Sequence, residues 1–247
     1  SYILDVTPGN DNTTIVASYT ADLSTLGGGA AVVFASGFLN PAANQNGEAF
    51  GLFAALPNGT VVAFPTVSQA RLQVIHNAAD PAAASVDVYV NGNLLLNDFA
   101  FRAATPYIDV PAGVTLNIGI APPTSTSVND TLVNIPVTLN NGGSYVAIAN
   151  GVLNPANFAV NPDARPIGFQ LLAAANTREA SQNGTDVDFI VLHGATDAPT
   201  VDVLARNVAT LVDNASYGDI TNYITVPAAS YILDVTPGND NTTIVAS

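Results

Sequence analysis

The chain of 247 residues has no cysteine, methionine or tryptophan, and its five basic residues are all arginine: Arg71, Arg102, Arg165, Arg178 and Arg206. Glutamate is almost missing too, with only Glu48 and Glu179. Without cysteine there is no disulfide, no thiolate metal ligand and no thiol nucleophile. Without lysine there is no lysine–asparagine isopeptide cross-link, so stability must come from packing and backbone pairing. Nineteen acidic residues against five arginines leave a net charge of -14. So few cations cannot neutralise a phosphate track or hold an anionic membrane surface, so neither nucleic acid nor membrane insertion is expected. The longest uncharged apolar run, Leu26 to Leu39, is fourteen residues rich in Gly and Ala, short of the roughly 20 that a membrane helix needs. Catalytic signatures are missing as well. There is no nucleophile-elbow Gly-x-Ser-x-Gly, no His-Glu-x-x-His and no phosphate-cradling glycine loop. No enzymatic activity is expected.

What is present is repetition. SYILDVTPGNDNTTIVAS runs from Ser1 to Ser18 and again, letter for letter, from Ser230 to Ser247. The chain therefore reads as one period of 229 residues plus the start of the next. A weaker duplication lies inside the period. RLQVIHNAADPAAASVDVYV (Arg71 to Val90) matches DFIVLHGATDAPTVDVLA (Asp188 to Ala205), and TPYIDVPAG (Thr105 to Gly113) matches TNYITVPAA (Thr221 to Ala229). Wrapping through the identical segment, GVLNPANF (Gly151 to Phe158) matches GFLNPAAN (Gly37 to Asn44). This gives one complete domain, residues 70–184, and one split domain. The C-terminal half of the split domain is residues 1–69, and its N-terminal part is residues 185–247, of which 230–247 repeat 1–18.

Short runs rich in Val, Ile, Tyr, Phe and Thr, punctuated by Pro-Gly, Asn-Gly and Gly-Gly, predict strands throughout, among them Thr14–Ser18, Leu72–His76, Val86–Val90 and Tyr145–Ala149. Asn91-Gly92 after VDVYV predicts a tight hairpin. No stretch shows a sustained helical period. The expected fold is all-β, in tandem antiparallel β-sandwich domains of immunoglobulin-like type, one intact and one split across the chain ends.

The pattern of apolar strand, His, small-residue loop with Asp, Ala and Pro, VDVYVNG and then Y-x-x-VPAG resembles the domain-of-unknown-function family numbered 4397. The resemblance implies β-sandwich domains occurring in tandem in secreted and surface proteins, and it carries no known activity. In the split copy Leu204-Ala205-Arg206-Asn207 replaces Tyr-Val-Asn-Gly, so a different turn is expected there.

The candidate site residues are few. His76 and His193 end equivalent strands, with Leu72 and Val74 or Phe189 and Val191 on the same face, so both imidazoles are expected on the core side. Asp87 and Asp202 follow in the VDV strands, giving structural His–Asp pairs, His76 with Asp87 and His193 with Asp202, as a buried polar pair or a loop-capping bond that fixes the domain corner. Asp80, Asp87, Asp197 and Asp202 are the weak calcium candidates, because calcium takes six to eight oxygens and each pair sits in or beside one loop. Turn chemistry explains the same residues without a metal, and no cofactor is expected. Phe38, Phe101, Phe158 and Tyr217 lie near loops, placed for contacts between domains or between chains.

The sequence thus points to a non-catalytic repeat of a long extracellular filament or adhesin stalk, at the cell surface or secreted. Its partners would be adjacent identical repeats of the same polypeptide, with arrays able to associate as a parallel homo-oligomeric bundle. The alternative is a carbohydrate- or surface-binding module acting by avidity. Expressed by itself, the chain is expected to leave its split sandwich open unless Thr185–Ala229 of one molecule finds Ser1–Ser68 of another, so that chains polymerise or aggregate.

Overall fold

The computed structural model describes residues 2–10 and 16–247. The strand expected at Thr14–Ser18 lies partly outside the described residues. The chain divides into two compact units, Ser1–Ser68 and Gln69–Ser247.

In the first unit, β1 (Tyr2–Val6) pairs antiparallel with β2 (Ala17–Ala21). β3 (Val32–Ser36), β4 (Gly51–Ala55) and β5 (Val61–Ala63) form a second, three-stranded sheet. Tyr19, Ala21, Ala54 and Phe64 make its core, with Leu4 and Phe50 packed against them. Strand β3 lies at a sheet edge and every one of its residues is exposed.

The second unit opens with eight strands: β6 (Gln69–Asn77), β7 (Ser85–Val90), β8 (Asn93–Ala100), β9 (Ile108–Pro111), β10 (Thr115–Ala121), β11 (Val133–Thr138), β12 (Ser144–Asn150) and β13 (Gln170–Ala175). They form two four-stranded sheets, ordered β11-β10-β7-β8 and β13-β12-β6-β9. All pairs are antiparallel except β6 with β12, which run parallel from Arg71↔Ser144 to Asn77↔Asn150. Alternation sets the layers. Leu72, Val110 and Leu116 fill one part of the interior, and Val86, Val88 and Ile120 fill another. Small residues on the second sheet, Ala147, Ala149 and Ala173, leave an apolar cavity of about 420 Å³ between the layers.

Five more strands follow: β14 (Asp186–Phe189), β15 (Val201–Ala205), β16 (Ala209–Ala215), β17 (Ile224–Pro227) and β18 (Leu233–Pro237). β14 pairs with β17, and β15 lies between β16 and β18. These pairings repeat β6 with β9, and β8-β7-β10. The chain is all-β, in the sandwich architecture that its strand pattern predicts. Helical turns among the described residues are single three-residue 3-10 turns. None is long and apolar enough to cross a membrane.

The turns follow their residues. Asn91 and Gly92 both have positive φ, 49° and 86°, as the two-residue hairpin predicted for Asn-Gly requires. In the second copy the turn is longer, residues 206–208 between β15 and β16, with Asn207 at φ 60°.

Candidate functional site: the histidine corners and the domain junction

His76 closes β6 and is 1% exposed. The Ala78 amide donates to its Nδ1 at 3.3 Å, so the proton sits on Nε2, which faces the Ala83 carbonyl at 2.8 Å. Burial pushes the His76 pKa down, partly opposed by the bond to Ala83. The ring is therefore a neutral strut between the end of β6 and the 3-10 turn Pro81–Ala83. His193 repeats the arrangement with its Nε2 2.9 Å from the Pro199 carbonyl.

Asp87 and Asp202 are each 1% exposed. Asp87 accepts the Asp98 amide at 2.9 Å and the Ser125 hydroxyl at 2.5 Å. Asp202 accepts the Asn214 amide at 2.5 Å. Asp98 and Asn214 have φ of 51° and 55° and sit where the β7–β8 and β15–β16 registers shift. Each aspartate thus pins a β-bulge in the neighbouring strand, where the extra residue leaves an amide without a ladder partner. This corrects the expected His–Asp pairing: no hydrogen bond joins His76 to Asp87 or His193 to Asp202 among the described residues. Each side chain bonds to backbone instead, and Asp87 to the Ser125 hydroxyl as well.

Asp80 accepts the Ala82 amide at 2.9 Å and the Leu153 amide at 2.9 Å. Its counterpart Asp197 is exposed. With N–H and O–H donors aimed at the carboxylates of Asp80, Asp87 and Asp202, these oxygens are engaged by hydrogens rather than collected around one point. No group of three or more metal-ligating side chains occurs among the described residues.

The larger constellation is one that sequence reasoning did not find. Residues 185–247 pack on the outer face of the sheet containing β6 and β12. Val146 and Ile148, which point outward, are 5% and 3% exposed. They line a cleft of about 620 Å³ together with Gln73, Ile75, Phe189 and Leu192. Three polar clamps hold the contact. Asn150, fully buried, donates from Nδ2 to the Tyr217 hydroxyl at 3.2 Å and accepts Asn77 Nδ2 at 2.9 Å. Asn161 donates to the carbonyls of Thr196 and Ala198, both at 3.0 Å, and accepts the amides of Asp163 and Arg165. Arg178 pairs with Asp188 at 2.6 Å and stacks 4.3 Å over the Tyr223 ring. The Thr225 hydroxyl, with the Gln182 amide and Arg178, holds Asp188 down to about 2. Phe158 and Tyr217, two of the aromatics placed for contacts between domains, meet here beside Val152 and Ile167.

No curated protein matches the chain. A family model does, described as a domain of unknown function (DUF4397), over residues 70–167 and 187–247. The two matched segments span β6 to β12 and β14 to β18. With well over half of its residues matched, the chain belongs to the DUF4397 family of domains of unknown function.

Proposed function

We propose that the chain is a structural, non-catalytic repeat of a long extracellular filament or adhesin stalk, with adjacent identical repeats as its partners. The observation that carries this reading is the junction just described. Successive domains are locked face to face by a buried asparagine–tyrosine bond, a four-bonded asparagine and an ion pair. Ordinary contacts between domains of one chain are looser and more polar. A locked junction suits an element whose work is reach and stiffness. The strict repeat of Ser1–Ser18 at Ser230–Ser247 supports it, since near-identical units serve a spacer well. Imaging of the intact native particle tests the reading. Filaments with an axial period of one domain pair are expected, and compact globules would refute it.

One observation favours a second reading, a binding module acting by avidity. Phe101, Tyr107 and Tyr223 line the junction cleft beside Asn77 and Asp197, an aromatic and amide combination suited to sugar rings. Glycan-array binding that strengthens with the number of repeats, and fails on Tyr107→Ala, would establish it over a pure spacer.

A further inference from the structure

The interior of the complete sandwich holds a space that its own side chains do not fill. Its volume is about 420 Å³, nearly three times the roughly 150 Å³ of a protein void that admits benzene. The lining runs along β6 from Leu72 through Val74 to His76, a length of about 13 Å at the strand rise, so the space is a long slot. The strands β7 and β10 turn large residues into it, among them Val88, Leu116 and Ile120. The strands β12 and β13 turn in alanine, with Ala147 directly opposite Ala173. The other copy of the repeat has Val33 at the position of Ala147, so the strand accepts a larger residue there.

The slot opens at one side. Both β11 and β13 are edge strands of their sheets. Ile135 and Val137 on β11 and Leu171 on β13 line the space yet stay half-buried, and Ala173 is exposed. On β12 the usual order is reversed: outward Val146 is buried, while inward Ala147 is only half-buried. The chemistry of the lining is uniform. No charged side chain faces the space, and only His76, Thr138 and Tyr145 bring a polar side-chain atom. Each of those is engaged already. His76 holds the Ala78 amide and the Ala83 carbonyl, the Tyr145 hydroxyl accepts the Asn140 amide at 3.1 Å, and Thr138 Oγ1 meets Thr115 Oγ1 at 3.3 Å. Water fills such a space poorly, because a buried water wants about two to four polar partners. Left unfilled, a void costs stability in proportion to its volume. A purely apolar occupant resolves both costs.

We infer that the slot between the two sheets of residues 70–184 is a binding site for a neutral, unbranched aliphatic chain that enters between β11 and β13. On the ratio of benzene's six carbons to its cavity, the slot takes a chain of up to about sixteen carbons. Its polar end stays at the mouth and is uncharged. A charge drawn inside would find no partner among the lining residues, and an anion outside meets a chain of net charge -14. The site is independent of the filament reading, since it lies within one domain.

The full chain is titrated with N-phenyl-1-naphthylamine, a neutral apolar dye that fluoresces on leaving water, and the dye is displaced with 1-alkanols from hexanol to decanol. Saturable binding is expected, with displacement tightening up to about fourfold for each added methylene. Decanoate at pH 8, with the same chain and a charged end, is expected to compete at least about tenfold more weakly than decanol. Ala147→Leu fills part of the slot and Ala173→Leu narrows its mouth, and each is expected to weaken decanol at least about tenfold. A melting midpoint close to the parent's shows that the variant sandwich is intact. Should Ala147→Leu overpack and misfold, Ala173→Leu, at an exposed position, still decides. Val160→Ala, at a position 86% exposed and outside the slot, is expected to leave binding unchanged. No saturable binding, decanoate equal to decanol, or displacement that survives in a folded Ala147→Leu or Ala173→Leu chain would each overturn the inference.

Discussion

Asn150 and Tyr217 lie 67 residues apart in sequence, yet the amide of one donates to the phenol of the other at 3.2 Å in a site sealed from solvent. Asn150 is the last residue of β12, and Tyr217 belongs to the loop after β16 of the following domain. Burial raises the Tyr217 pKa, so the phenol stays protonated and is a stable partner across neutral pH.

Tyr217→Phe keeps the ring and removes only that oxygen. A buried amide hydrogen then loses its acceptor, at a cost of ~1–3 kcal/mol. Urea melts followed by tyrosine fluorescence and by limited proteolysis should show residues 185–247 released earlier than in the parent chain.

Gly151→Ala should be worse. Gly151 has φ +89°, and a Cβ there would stand 2.5 Å from the Gly168 carbonyl oxygen. Left-handed strain alone costs ~1–3 kcal/mol, and the backbone clash adds to it. The expected outcome is a melting midpoint several degrees lower, with Gly168→Ala, which meets nothing closer than 3.6 Å, as the mild control.

The buried histidine makes stability depend on pH near neutrality. Its folded pKa lies below the usual 6.5, so beneath that value the unfolded chain binds more protons than the folded one. The contribution of His76 is complete above about pH 6.5 and is lost as pH falls below it. Denaturant midpoints measured from pH 8 to pH 5 should fall for the parent chain and fall less for His76→Gln, which cannot titrate.

Asp188 acts in a more acidic window. The Thr225 hydroxyl and its other donors hold it near 2 against an ordinary 3.8. It therefore stabilises the folded junction above about pH 4, and that contribution disappears as pH drops toward 2. Asp188→Asn should melt earlier than the parent at pH 6. The gap between the two should close by pH 2, as read by circular dichroism.

Much of this was legible in the residues. VDV, Asn-Gly and the alternating strands announced sandwiches, and the apolar residues before His76 and His193 placed both rings inward. The partners of the aspartates were not legible, because a β-bulge in the neighbouring strand has no signature in the VDV motif itself. The junction left a trace that went unread. The run Tyr145–Ala149 is apolar on both faces, which is the mark of a strand covered on both sides. Asn161, inside Asn-Pro-Asp, reads as an ordinary turn residue, and only the arrival of Thr196 and Ala198 gives it a second role.

The parallel register of β6 and β12 has a mechanical consequence. Arg71 faces Ser144, and Ala175 at the close of β13 faces Tyr145, so the chain enters and leaves this sandwich at one end of the same sheet. Tension between those two points loads the ladders one rung at a time, from that end, instead of shearing all rungs together. Such a domain unzips at low force when pulled alone. Its resistance to stretching then rests on residues 185–247, which lie across its outer face and are held there by Asn150–Tyr217 and Arg178–Asp188.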